Sequence, residues 1–282
     1  MFPELNINNF EITSTLGNGS SAIVYLAKNL ERKKFVIKVA KNEKWNNSLK
    51  REIFILKYLN EIHCPYVPDF YQKFSIRELK TLVVNYYDGS YTFTEAKKYL
   101  VNRPIMFGKT LANLTRAIHF LHQHGIYHCD IKPDNILYIR HENKIVLIDF
   151  NISKINNDKV KFNLDESFRG SYPYMSPEFF NTIKNFDLLP GCDIWALGAT
   201  IYRMLNYKPF YQLPETQVNC YSTFSHFYFS PVGEYERTSK YKIQNIYYKD
   251  VFVKTLMLRC LTHDYRVRPT AAELLRLIPE RY

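Results

Sequence analysis

His128-Cys129-Asp130-Ile131-Lys132-Pro133-Asp134-Asn135, followed by Ile148-Asp149-Phe150-Asn151, is the stretch whose reading decides the fold. An acid, a lysine two residues on, an asparagine five residues on and then a second acid form equipment for moving a phosphoryl group. Asp130 can orient a hydroxyl and take its proton, and Lys132 can steady charge on the moving phosphate. Asn135 and Asp149 offer hard oxygen ligands of the kind that hold magnesium against phosphates. Either segment alone is weak, because polar loop residues beside apolar runs are common. Their order, with further pieces on both sides, gives the signal its strength.

Upstream, Gly17-Asn18-Gly19-Ser20-Ser21-Ala22-Ile23-Val24 lies between two strand-like runs. Glycines there let backbone N–H groups approach phosphates, although a lone G-x-G equally suits a hairpin turn. No helix opens at this point and no Gly-Lys-Ser/Thr follows, which excludes dinucleotide-binding and Walker loops. Lys38 interrupts the apolar strand Val36-Ile37-Lys38-Val39 and calls for an anion, either Glu52 on the next helix or a phosphate. The plain alternative is a lysine reaching out to solvent.

Residues 10 to 40 read as strands, with Glu31-Arg32-Lys33-Lys34 at a hairpin tip. Asn46 or Asn47 is the expected cap of a helix carrying Leu49, Ile53, Leu56 and Leu59 at helical spacing. Strands are expected at Phe70 to Ile76 and Thr81 to Tyr86. Beyond a hinge near Tyr86 to Gly89, helices dominate. One bears Leu111, Leu114, Ile118 and Leu121 and stops at Gly125; others run from Asp193 to Leu205, Val251 to Leu261 and Thr270 to Leu277. The aromatic-rich stretch between Tyr211 and Tyr248 yields no assignment.

In this ordered set the chain resembles the eukaryotic-type protein kinases, of the Ser/Thr kind, over about Phe10 to Pro269. The resemblance implies an α+β bilobal fold with ATP in the cleft. A small β-rich N-lobe with one main helix spans about residues 1–86, and a larger, mostly helical C-lobe spans about 87–282, as one kinase domain. It implies that Gly17, Asn18, Gly19, Ser20, Ser21, Ala22 and Val24 cover ATP, and that Lys38 touches its phosphates and pairs with Glu52. Val36, Val84 and Leu137 then surround adenine with Val24, and Asn85, Tyr86 and Tyr87 present hinge backbone to it. Asp130 becomes the catalytic base, Lys132 the γ-phosphate contact, and Asn135 and Asp149 the Mg²⁺ ligands. Gly170 to Glu178 resembles the end of an activation segment, Asp193 to Gly198 a buried helix below it, and Arg268 the partner of Glu178. Lys132 and Ser171 favour Ser/Thr acceptors on protein substrates. The alternative is a pseudokinase scaffold that binds nucleotide or partners without efficient catalysis. Lys38, Glu52, Asp130, Asn135 and Asp149 are all present, which favours the enzyme.

The chain departs from the pattern at four places. Cys129 replaces a phosphate-receiving arginine and reads as a small apolar filler. Phosphorylation of Ser153 or Ser167 is therefore expected to matter little. Asn151 replaces a glycine, and asparagine is the next most tolerant residue at positive φ. Val36 replaces an alanine above adenine, and Ala22 replaces a third glycine.

Composition agrees with this reading. The 282 residues, 46% hydrophobic and 23% charged, suffice for one large domain or two lobes and exclude a disordered chain. The net charge of +11 comes from scattered lysines, so it reads first as a solvated surface and second as a preference for acidic partners. No recognised nucleic-acid motif accompanies it. Cys64, Cys129, Cys192, Cys220 and Cys260 form no CxxC pair and point to free thiols in a reducing compartment. The start Met1-Phe2-Pro3-Glu4 lacks a signal-peptide pattern, and no apolar run approaches the ~20 residues of a membrane span. The expectation is an intracellular protein, cytoplasmic, nuclear or both. Little sequence lies outside the kinase-like stretch, so regulation is expected from that domain or its partners.

Overall fold

The computed structural model describes residues 6–7, 9–156, 170–180, 189–206, 210 and 248–282. The expectations for Ser167, for Cys220 and for the stretch after Tyr211 fall outside these residues. The chain forms two compact units, Met1–Ser90 with Val146–Ser153, and Tyr91–Ile145 with Lys154–Tyr282.

The first unit is built on a six-stranded sheet in the order β1-β2-β3-β4-β6-β5. The strands are β1 (Asn6–Ile7), β2 (Phe10–Asn18), β3 (Ala22–Lys28), β4 (Lys34–Ala40), β5 (Phe70–Ile76) and β6 (Leu79–Asn85), each antiparallel to its neighbours. Alternation along β4 separates two faces. Phe35 and Ile37 join Phe10, Ala27 and Val83 in a buried apolar cluster, with the Phe10 and Phe35 rings edge-on at 5.3 Å. Val36 and Lys38 point the other way. On that side lies helix α1 (Asn46–Glu61), whose Leu49, Ile53, Leu56 and Leu59 are all buried. Each such side chain contributes about 1.5–3 kcal/mol by leaving water.

The expected asparagine cap of α1 is not what forms. Trp45 occupies the N-cap position without a side-chain bond, after a 3₁₀ turn at Glu43–Trp45. Asn46 is the first helical residue and turns its amide onto the β5–β6 hairpin. It donates to Glu78 O at 2.9 Å and accepts from Lys80 N at 2.8 Å. That hairpin needs the support, since Arg77 (φ 45°) and Glu78 (φ 68°) are consecutive left-handed residues without a glycine.

The second unit contains the pair β8 (Ile126–Tyr127) and β11 (Lys154–Ile155). The chain crosses between units in β7 (Ser90–Thr92) and β10 (Lys144–Leu147), which flank β9 (Ile136–Ile139) in a three-stranded sheet. Helix α2 (Phe93–Leu100) was not foreseen, although Thr92 and Glu95 form its capping box and the T-x-x-E spacing is visible in the sequence. Helix α3 (Pro104–Gln123) buries Leu111, Leu114, Ile118 and Leu121 completely. It ends as expected, with Gly125 at φ +66°.

Helix α4 (Leu189–Leu205) begins at Leu189 rather than Asp193 and is apolar nearly all round. A Cβ on its Gly198 would lie 2.7 Å from Cys260 Cβ, so glycine lets α5 (Val251–Cys260) pack directly on α4. Helix α6 (Ala271–Leu275) is capped by the Thr270–Glu273 box. No described helix is long and apolar enough to cross a membrane.

Glu178 and Arg268 meet in this unit as a bidentate pair, at 2.5 and 3.0 Å. The Arg268 side chain is fully buried and stacks over Trp195 at 4.9 Å. Its remaining N–H groups bond Thr262 O, Gly191 O and His263 O, so all five donors are satisfied.

Two consequences can be measured by chemical denaturation. Arg268→Met strands the buried Glu178 carboxylate and should cost about 3–5 kcal/mol. A loss below about 1 kcal/mol, the range of exposed pairs, would contradict the role given to Arg268. Asn46→Ala removes two hydrogen bonds from the left-handed hairpin and should cost about 1–3 kcal/mol. A variant as stable as the parent would show that the hairpin holds itself.

Candidate active site

In the first unit the β-sheet register places Lys38 opposite Val24 on β3 and Leu82 on β6. Val36 lies opposite Val84, so Val24, Val36, Lys38 and Val84 share one face. Lys38 Nζ donates to Glu52 Oε2 at 2.7 Å and to Asp149 Oδ1 at 2.5 Å. The Glu52 side chain is only 4% exposed, whereas that of Asp149 is 30% exposed. Glu52 is thus an internal anchor, and Asp149 keeps an open side.

Burial alone would lower the Lys38 pKa, but Asp149 and then Glu52 outweigh it and hold it above the ordinary lysine value. The ammonium therefore stays charged. Burial pushes the Glu52 carboxyl up, against the pull of Lys38.

The turn between β2 and β3 carries the glycine segment. Neither Gly17 nor Gly19 has a positive φ. A Cβ on Gly17 would meet nothing within 4 Å, and one on Gly19 only Ala22 O at 3.6 Å. Neither the turn nor packing demands glycine there. The open space fits a close-lying ligand such as a phosphate. Leu16, an apolar residue 48% exposed just before Gly17, was missed as a candidate ligand contact, although its place beside the glycines was legible.

Among the expected hinge residues, the Asn85 N–H donates to Asp69 O at 3.0 Å and the Tyr86 N–H to Lys34 O at 3.5 Å. The Tyr87 hydroxyl accepts from Asp69 N at 3.3 Å. Lys34 forms an exposed ion pair with Asp88.

The left-handed turn near the second acid is at Asp149 (φ 69°), and Asn151 does not adopt positive φ. Asparagine is therefore accepted at 151 because the backbone does not need glycine's range there.

In the second unit Asp130, 8% exposed, is the centre of a tight cluster. Asn135 Nδ2 donates to Asp130 O at 2.9 Å and Oδ2 at 2.8 Å. Lys132 Nζ bridges Asp130 Oδ2 and Ser171 Oγ, both at 2.7 Å. Ser171 N donates to Asp130 Oδ1 at 3.0 Å. Ser171 therefore reaches the acid through its backbone amide and through Lys132, not by its hydroxyl directly. Three of the roughly four acceptor positions of the carboxylate are used, which leaves one on Oδ1 for an incoming hydroxyl. Asn135 turns its N–H groups inward, and its amide oxygen accepts no hydrogen bond among the described residues. Leu137 follows on β9.

The loop is held from below. Asp193 on α4 accepts from His128 N at 2.9 Å and Cys129 N at 2.8 Å, and contacts His122 Nε2 at 3.0 Å. Cys129 sits at φ 64°, a strained conformation fixed by that contact. Its thiol lies at 3.4 Å from Tyr127 O, and burial, then Asp193 and Cys192, push its pKa well above the ordinary thiol value. A raised thiol pKa is in keeping with the reading of Cys129 as a small apolar filler.

The protein kinase domain family matches residues 10–277 of this chain. The chain is 29% identical to mitogen-activated protein kinase kinase 1 of Arabidopsis thaliana, over 75% of this chain and 59% of that protein. It is 30% identical to CBL-interacting serine/threonine-protein kinase 18 of the same plant, over 72% of this chain and 39% of the relative. It is 32% identical to the probable serine/threonine-protein kinase MARK-C of Dictyostelium discoideum, over 71% and 26%. The matched stretch thus spans between about a quarter and three fifths of these longer relatives. With the match running through both units and both clusters of polar residues, the chain belongs to the protein kinase domain family.

Proposed function

We propose that the chain is an ATP-dependent protein kinase that transfers the γ-phosphate to Ser and Thr hydroxyls of protein substrates. The observation that carries this reading is the Asp130 cluster, in which a carboxylate with one open acceptor position is fixed by Asn135, Lys132 and Ser171. Asp130 receives the hydroxyl at Oδ1 and orients it for attack. Lys132 is already charged and fixed, and it meets negative charge on the transferring phosphoryl group without reorganising. In the first unit Lys38 takes the α- and β-phosphates, and the backbone from Gly17 to Ala22 covers them. Val24, Val36 and Val84 supply an apolar surface for the base in the first unit, and Leu137 keeps the adenine role that the resemblance implies. The backbone of Asn85, Tyr86 and Tyr87 is assigned to its polar edge, as the resemblance implies.

Asp149, whose carboxylate is partly exposed, and the Asn135 amide oxygen would each be a hard oxygen ligand for magnesium, as the resemblance implies, and the cation would supply charge neutralisation for the phosphates of ATP.

All of Lys38, Glu52, Asp130, Asn135 and Asp149 are present and engaged, which weighs against a scaffold without catalysis. The Lys132–Ser171 bond and the serine/threonine-protein kinases among the relatives support Ser/Thr acceptors. The +11 charge supports acidic partners, and the free thiols of Cys64, Cys129, Cys192 and Cys260 support an intracellular, reducing location, cytoplasmic or nuclear.

The test is transfer of labelled γ-phosphate to peptide libraries with Ser, Thr or Tyr fixed at the acceptor position. Label should enter the Ser and Thr libraries. Asp130→Asn and Asp149→Ala should each lower the rate at least ~100-fold, the scale of general-base and metal contributions, while melting as the parent does. Transfer to Tyr alone would overturn the acceptor assignment, and full activity of Asp149→Ala would overturn its role.

A further inference from the structure

Asn151 is fastened on three sides within the first unit. Its carbonyl accepts from Ser48 Oγ at 2.9 Å and Arg51 Nη1 at 3.2 Å, both on α1. Its side-chain Nδ2 lies 3.4 Å from Ser21 Oγ, in the turn after the glycines. Ser21, Ser48 and Arg51 are each buried to within a tenth of full exposure, at 9%, 8% and 4%. Hydrogen bonds in such surroundings are poorly replaced by water, and the one from Arg51 is charge-assisted. A glycine at 151 would offer the carbonyl but nothing to Ser21.

Two residues earlier, Asp149 holds a left-handed backbone, φ 69°, that a non-glycine residue leaves unless something holds it. Its carboxylate reaches Lys38 from that conformation. The same short segment therefore has a strained residue at one end and a buried fastening at the other.

We propose that Asn151 is a positioning residue, a latch that ties the Asp149 segment to both α1 and the turn at Ser21. The latch keeps Asp149 on Lys38 by contacts internal to the unit. This inference rests on the reading of Asp149 as the phosphate-site carboxylate, and it adds a positioning contact to that reading. It also links the turn at Ser21 to the Asp149 segment.

Amide hydrogen exchange of the nucleotide-free protein tests the latch. Ser48→Ala keeps a good helix former in α1 and removes one donor, and Asn151→Gly removes the reach to Ser21. Each should raise exchange in a peptide covering Val146–Ser153 by about tenfold, with α3 peptides unchanged. Ser48→Thr retains the hydroxyl and should hold exchange within about twofold of the parent. In the transfer assay, Ser48→Ala should lower kcat about fivefold to tenfold and leave KM for the peptide unchanged. Unchanged exchange in Val146–Ser153 in both variants would overturn the proposal, and so would loosening spread equally over all first-unit peptides. Exchange is read without nucleotide, so the latch stands or falls whether or not the chain transfers phosphate.

Discussion

Everything in the first unit turns on one ammonium shared by two carboxylates. A buried Glu52 carboxylate without a cation carries a desolvation cost of several kcal/mol, and Lys38 is the cation that offsets it, at 2.7 Å. The same Nζ draws in Asp149 at 2.5 Å. One side chain thereby fixes helix α1 and the Asp149 segment against strand β4. The sheet makes this arrangement possible. Its opposite face takes the aromatic and aliphatic core of Phe10, Phe35, Ile37 and Val83, which leaves β4 free to carry a charge on the face toward α1. The aromatic cluster is thus kept on one face of the sheet and the charged group on the other.

The second unit solves the related problem of holding an acid in a strained loop. Asp193 receives two consecutive backbone amides, His128 and Cys129, from the buried helix α4. That contact sets the left-handed Cys129 and so the direction of Asp130. Below it, Arg268 satisfies all five donors around Glu178 and Trp195, which ties the segment after Ser171 to the helical core. Asp193 thereby holds the loop that carries Asp130, and Arg268 holds the segment that carries Glu178.

Much of this was legible in residues alone. The interrupted strand around Lys38, the apolar stripes of α1 and α3 and the Asp130–Asn135 spacing encode local chemistry that a one-dimensional reading captures. The misreadings share a physical origin. Asn46 resembles a helix cap, but its amide is taken by a hairpin over thirty positions away, whose left-handed Arg77 and Glu78 no propensity scale announces. Helix α2 was passed over because its apolar face is short, although its capping box stood in the sequence. The fastening of Asn151 by Ser21, Ser48 and Arg51 joins three segments and could not be read from any one of them.

The central claim is that Lys38 is the counter-ion on which the buried carboxylate depends, and thermal unfolding of Lys38→Met against the parent tests it most directly. Without the ammonium, burial and then the nearby Asp149 charge raise the Glu52 pKa in the folded state, opposed only by the backbone hydrogen bond from Phe150. A carboxyl whose folded pKa exceeds its unfolded value costs no stability while protonated in both states, and costs progressively more as pH rises through the interval between them. The deficit of Lys38→Met relative to the parent should therefore be small near about pH 5 and widen toward about pH 8. A deficit that is the same at both ends, or absent throughout, would contradict the account.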